Sequence, residues 1–103
     1  MFCVIYIFQV KPGKNHDFER TWSELTDALY RHAGSLGSKL HKSGEDRYMA
    51  YATWLNQQSW ENSTEKLPAW ALAIRDRMKE SCQFVETVFA GNVLKDLTKT
   101  GLL

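Results

Sequence analysis

Cysteine is scarce in this chain. The two present, Cys3 and Cys82, have neither the close spacing of a metal site nor the number needed for a disulfide framework. A reducing cytoplasm is therefore the expected setting. Histidine is almost as rare. His16, His32 and His41 lack i, i+4 spacing and neighbouring carboxylates, so no metal is expected. An excess of one charge is missing too: 13 basic against 12 acidic residues leave a net charge of +1, with the Lys and Arg scattered. That argues against a nucleic-acid partner. No apolar run approaches the ~20 residues of a membrane span. The run that opens the chain, Met1 to Phe8, has no basic segment before it and no small-residue cleavage site after it, and it reads as a strand of the mature protein. No membrane partner is expected.

What is present is ordinary for a folded domain. Hydrophobic residues make up 44% and charged residues 24% of 103, far from the composition of disorder. One domain fits this length, whereas a second would lack a core. We expect a domain over residues 1–93 and a tail over residues 94–103, whose leucines need a partner surface to become ordered.

Residues 2–10 combine Phe, Val, Ile and Tyr up to the Pro12-Gly13 turn, which predicts a strand. One face carries Phe2, Val4, Tyr6, Phe8 and Val10, and the other Cys3, Ile5, Ile7 and Gln9; both are apolar enough to need cover, as in an interior strand. Asn15 is positioned as an N-cap, and Phe18, Trp22, Leu25 and Leu29 repeat at helical spacing, predicting a helix over 16–33 stopped by Gly34. Residues 39–43 read as a more exposed strand, and residues 47–55 as its hairpin partner across Gly44-Glu45-Asp46. Ala50 and Ala52 share a face with Tyr48 and Trp54, leaving room for a helix side chain or a ligand. Asn56 is placed to cap a short helix carrying Trp60. Pro68 suits the first position of a further helix, with Trp70 or Ala71, Ile74 and Met78 on one stripe. Residues 81–91 form the last strand, with Phe84, Val88 and Ala90 on one face and Val85, Thr87 and Phe89 on the other; both faces look covered.

The fold class that follows is α+β: a ferredoxin-like β-α-β-β-α-β domain with an antiparallel four-stranded sheet. Right-handed crossovers are expected to set strands one and three parallel at its centre, with strand four antiparallel beside strand one. Cys3 and Cys82 then lie at opposite ends of the sheet, beyond the ~7 Å reach of a disulfide. Helices in this topology cover one sheet face only. Strands one and four are apolar on both, so a second copy is expected to pack sheet against sheet about a twofold axis, the alternative being a second face left partly wet.

Several segments together resemble one family. They are Val10-Lys11-Pro12-Gly13-Lys14 with Phe18-Glu19-Arg20-Thr21-Trp22, then Gly34 to Lys42, then Tyr51-Ala52-Thr53-Trp54 with Trp60-Glu61. They are similar to the antibiotic biosynthesis monooxygenase domain over roughly residues 2–92. The resemblance implies a dimeric α+β barrel with a pocket between sheet and helices, which in some members takes aromatic polyketides, quinols or haem. It also implies cofactor-free oxygenation, in which a phenolic substrate, once deprotonated, passes an electron to dioxygen. Asn56 and Trp60, four apart, are similar to an Asn and Trp pair associated with activity in the anthrone monooxygenases. Haem-degrading members use an Asn on the first strand and a His on the helix before the last. Strand one has no Asn here and residues 67–81 contain no His, which disfavours haem and leaves that helix without a base.

The candidate catalytic residues are thus Asn56, Trp60 and His41. His41 serves as a base only if it faces the pocket, and its alternation with Lys39 and Ser43 favours a solvated position instead. Candidate substrate-binding residues are Tyr6, Phe8, Ala50, Ala52, Trp54 and Met78, with Trp22 and Trp70 assigned to core packing. Tyr48 and Tyr51 are further hydroxyls that could reach the cavity. The expected function is binding of an aromatic or apolar small molecule, with cofactor-independent oxygenation of it; the alternative is a non-catalytic dimeric module for a metabolite or protein.

Overall fold

The computed structural model describes residues 1–98. The β-rich start forms β1 (Phe2–Val10), and Pro12-Gly13 turns the chain, with Gly13 at φ +82° and the Lys14 amide donating to the Lys11 carbonyl at 3.0 Å. Helix α1 (Asn15–His32) follows and buries Phe18, Thr21, Leu25 and Ala28, while Trp22 and Leu29 are half-buried beside that stripe. Lys14, not Asn15, occupies the N-cap position. Asn15 is drawn across the structure instead, where its amide donates to the Glu45 carbonyl and to the Tyr48 hydroxyl. Gly34, at φ +82°, ends the helix region in the left-handed conformation that favours glycine.

Strands β2 (Ser35–Lys42) and β3 (Arg47–Trp54) form the hairpin. β2 starts four residues before the alternation suggested, because Leu36 is an extra residue between the Ser35/Trp54 and Gly37/Thr53 pairs and hides the period of two. A short helix α2 (Gln57–Glu61), a 3-10 turn (Ser63–Lys66) and helix α3 (Ala69–Glu80) lead to β4 (Cys82–Asn92). Pro68 sits at the N-cap of α3, one position before its expected place. The buried stripe of α3 runs through Ala71 and Met78, and Trp70 lies off it, 53% exposed with its ring edge-on to His32. Trp70 is therefore not a core residue.

The sheet order is β2-β3-β1-β4, and every neighbouring pair is antiparallel. This corrects the expected parallel pairing of strands one and three. The α1 crossover returns β2 in the direction of β1, and the tight hairpin then reverses β3, so β3 must run against β1. β1 is interior, as its two apolar faces required. Cys3 and Cys82 are both buried free thiols at opposite ends of the β1–β4 ladder.

β4 departs from simple alternation. Ile5 pairs with Phe89 but Tyr6 pairs with Thr87, so Val88 is an extra residue and the faces exchange there. Val85, Thr87 and Ala90 fall on the helix side, opposite Phe8, Tyr6 and Val4. Phe84, Glu86 and Phe89 fall on the other side, opposite Gln9, Ile7 and Ile5. Within the chain β4 is exposed from Gln83 to Ala90 on both faces, although α3 packs against part of it. Leu94 and Leu97 are 92% and 77% exposed; Leu102 and Leu103 of the expected tail lie outside the described residues. Among the described residues, no helix is long and apolar enough to cross a membrane.

Candidate functional site

The helix-facing side chains of β3 set the shape of the interior. Tyr48, Ala50, Ala52 and Trp54 alternate on that face, each buried, opposite Phe8, Tyr6, Val4 and Phe2 of β1. At the Tyr48 end the space is filled. Phe18 lies between Phe8 and Tyr48 with ring centroids 5.0 and 4.7 Å away. At the Ala50 and Ala52 positions the side chains are too short to reach the helices, and a cavity of about 450 Å³ remains.

Trp22, Leu25 and Leu29 of α1 wall this cavity on one side, and Tyr6, Phe8, Ala50, Ala52 and Trp54 form its floor. Trp60 of α2, Leu67, and Arg75 and Met78 of α3 close the remainder, with Val85 of β4 at the edge. The size and the apolar, aromatic lining suit a small flat molecule, as small-molecule sites generally do. The polar groups are few and placed. Trp60 Nε1 donates to the Tyr6 hydroxyl at 2.7 Å, which leaves the Tyr6 proton available to another acceptor. Burial raises the Tyr6 phenol above its ordinary pKa, an effect partly offset by the bond from Trp60. At neutral pH Tyr6 is thus a donor and not a base. Trp54 Nε1 and Arg75 Nε are buried without a hydrogen-bond partner among the described residues.

All six candidate substrate-binding residues, Tyr6, Phe8, Ala50, Ala52, Trp54 and Met78, line the cavity, and so does Trp60. Asn56 and His41 do not. Asn56 is the N-cap of α2, its Oδ1 accepting from the Ser59 amide at 2.8 Å, so its position serves the helix that carries Trp60. His41 pairs with Met49 and stands, exposed, on the sheet face away from the helices. Tyr51 is on that far face as well, donating to Cys3 Sγ at 3.1 Å. Tyr48 donates to Glu19 Oε2 at 2.5 Å, away from the cavity. Trp22, assigned to packing from its helix stripe, is half-buried and lines the cavity.

Sequence reasoning missed Arg75, although it lies four residues after Ala71 and three before Met78, on the buried stripe of α3. It also missed a set of hydroxyls, Thr26, Ser35, Ser38, Ser63 and Thr64, for which no sequence pattern stands out. No group of three or more His, Cys, Asp or Glu able to hold a metal occurs among the described residues.

The sequence profile described as antibiotic biosynthesis monooxygenase matches residues 1–80. The chain belongs to this family. Solved structures agree on the fold. SnoaB, a cofactor-independent oxygenase from Streptomyces nogalater, superposes with a TM-score of 0.77 at 15% identity, covering 95% of this chain and 97% of SnoaB. A Bordetella bronchiseptica protein assigned as an antibiotic biosynthesis monooxygenase gives 0.74 at 21% identity, covering 91% of this chain and 97% of its own. Rv0793 from Mycobacterium tuberculosis gives 0.74 at 12% identity over 94% and 98% of the two chains. No curated protein sequence matches significantly. At these identities the structural likenesses establish the antibiotic biosynthesis monooxygenase fold and not the reaction.

Proposed function

We propose that this protein binds a flat aromatic or similarly apolar small molecule between its sheet and helices, and oxygenates phenolic or quinol-type substrates without metal or flavin. The observation that carries this reading is the cavity itself: the space over Ala50 and Ala52 is not filled by helix side chains and is ringed by Trp22, Trp54 and Trp60. A module whose tryptophans only complete the core would have closed it, whereas a ligand-binding one keeps it open. Family membership and the oxygenase activity of SnoaB support the same reading.

The chemistry fits what the residues can supply. An electron-rich aromatic anion can give one electron to dioxygen, and the resulting substrate radical and superoxide combine to a peroxide. Loss of water then converts a ring CH2 to a carbonyl, so that one oxygen atom enters the product and the other leaves as water. The protein's part is to exclude solvent, to orient the ring against the tryptophans, and to hold the anion with Tyr6 and Trp54 donors. Oxygen consumption with a panel of anthrones and quinols tests this. Turnover that falls on Trp60→Phe is expected, whereas no turnover with any of them would leave ligand binding and remove the oxygenase step.

The active unit in this reading is a homodimer. Ile5, Ile7 and Met49 are half-buried on the sheet face away from the helices, and Phe84 and Phe89 are exposed on it, a contiguous apolar surface of the kind that marks an interface. Light scattering during gel filtration should give twice the chain mass, and Phe89→Lys should shift it toward the monomer. A stable wild-type monomer at micromolar concentration would refute the dimer.

A further inference from the structure

The lining of the cavity described above includes hydroxyls that can donate or accept, and beside them buried N–H donors that have no partner among the described residues. Trp54, 2% exposed, lines the cavity with an unpartnered Nε1–H, and Tyr6 has a hydroxyl proton to give. Arg75 adds a full charge. Its Nη1 is 3.3 Å from Thr64 Oγ1 and its Nη2 3.6 Å from the exposed Asp76 carboxylate, leaving Nε unpartnered. Lys79 is a second lining cation. Glu61 is the one lining carboxylate among the described residues, and it is exposed and accepts from Gln57 Nε2 at 2.8 Å. The lining therefore carries two positive charges against one negative.

A buried base is also missing from the lining, whose one carboxylate, Glu61, is exposed and already held by Gln57. His16, His32 and His41 all lie outside it, and burial keeps Tyr6 protonated. A weakly acidic phenol bound here would have only the exposed Glu61, or solvent, to take its proton. A ligand that arrives already ionised needs neither, and its oxygen supplies what the donors lack.

Resting on the proposal that the cavity is the ligand site, the geometry points to a narrower ligand class: a flat aromatic or quinonoid ring bearing an oxyanion at neutral pH, with Arg75 as the residue that selects for the charge. Arg75 is suited to this because it lines the cavity from the buried stripe of α3 and its planar guanidinium is already held by Thr64 and Asp76, so little freedom is lost on binding.

A matched pair of probes tests it by calorimetry at pH 7. These are 2-hydroxy-1,4-naphthoquinone, which is ionised at that pH, and its neutral methyl ether. The wild type should bind the anion about tenfold or more tightly than the ether, the scale expected of one hydrogen bond to a charged group. Arg75→Gln should weaken the anion to the level of the ether while leaving ether binding unchanged, which also shows that the variant is folded. Arg75→Lys should recover part of the difference. 2-Naphthoate separates two sources of the charge: Arg75 dependence for both anions assigns oxyanions generally, and dependence for the hydroxyquinone alone assigns enolates and phenolates. Equal affinity for anion and ether, or an anion affinity untouched by Arg75→Gln, would overturn the inference and leave the cavity reading standing. Binding of none of the probes would overturn both.

Discussion

At the Val10 end of the helix-covered sheet face, Tyr48 stands opposite Phe8, and Phe18 descends from α1 to fill the space between them. Two and four residues along the same strand, Ala50 and Ala52 stand opposite Tyr6 and Val4 below the same helix, and the space stays open. The polar groups differ in the same way. The Tyr48 hydroxyl donates to Glu19 and accepts from Asn15, whereas the open end holds the unpartnered Trp54 Nε1 and Arg75 Nε. A packing defect would be expected to collapse or to close its donors locally, because an unmade buried hydrogen bond costs about 1–3 kcal/mol. A filled end and a hollow end with waiting donors, on one sheet face, divide the labour between stability and binding.

The largest effect should come from the filled end. Phe18 is fully buried between two rings, and Phe18→Ala should cost about 3–5 kcal/mol in urea unfolding. A loss below about 1 kcal/mol would mean that the two ends are not differently packed. Adding volume to the hollow end sharpens the contrast from the other side. Overpacking a filled core costs about 1–3 kcal/mol, but Ala52→Leu should leave stability within about 1 kcal/mol of wild type, since it grows into open space.

Tyr6→Phe removes the acceptor of the Trp60 indole and should cost about 1–2 kcal/mol, measured by the same unfolding. It also has a pH signature. Burial raises the folded pKa of Tyr6, so the unfolded chain loses this proton first. The contribution is intact below the unfolded value of 10.0 and is lost as pH rises through the raised folded value. Tyr6→Phe should therefore make the alkaline loss of stability shallower than in wild type. Asn56→Ala should cost about 1 kcal/mol through its cap, and Asn56→Asp, which keeps the acceptor, should cost little. A variant Asn56→Asp that folds normally but fails to turn over substrate would restore a chemical role to this side chain. Smallest of all, His41→Ala should change stability by less than about 0.5 kcal/mol and ligand affinity not at all.

The room at the hollow end was legible in the sequence because a period of two is a strict rule: Ala50 and Ala52 fall on the same face as Tyr48 and Trp54. Whether a helix side chain or a ligand takes that room was not legible, because it depends on how the helices pack over the sheet. The capping of α2 by Asn56 was legible for a similar local reason. What escaped was non-local or broke the period. One extra residue at Val88 exchanges the faces of β4, and nothing in Phe84 to Ala90 marks it. Leu36 does the same for the start of β2. The direction of β3 follows from counting reversals of the chain, which the residue pattern of a single strand does not record. Arg75 was passed over because charged residues are assigned to solvent by default, and its buried Nε is a property of the packed helix and not of the residue type.

The most direct test of the hollow end as a binding site is a calorimetric titration of wild type and Ala52→Leu with 2-hydroxy-1,4-naphthoquinone, with thermal unfolding of each measured alongside. Binding by the wild type, lost in a variant of unchanged melting temperature, is the predicted result. Equal affinity in the two proteins would place the ligand elsewhere and contradict the account.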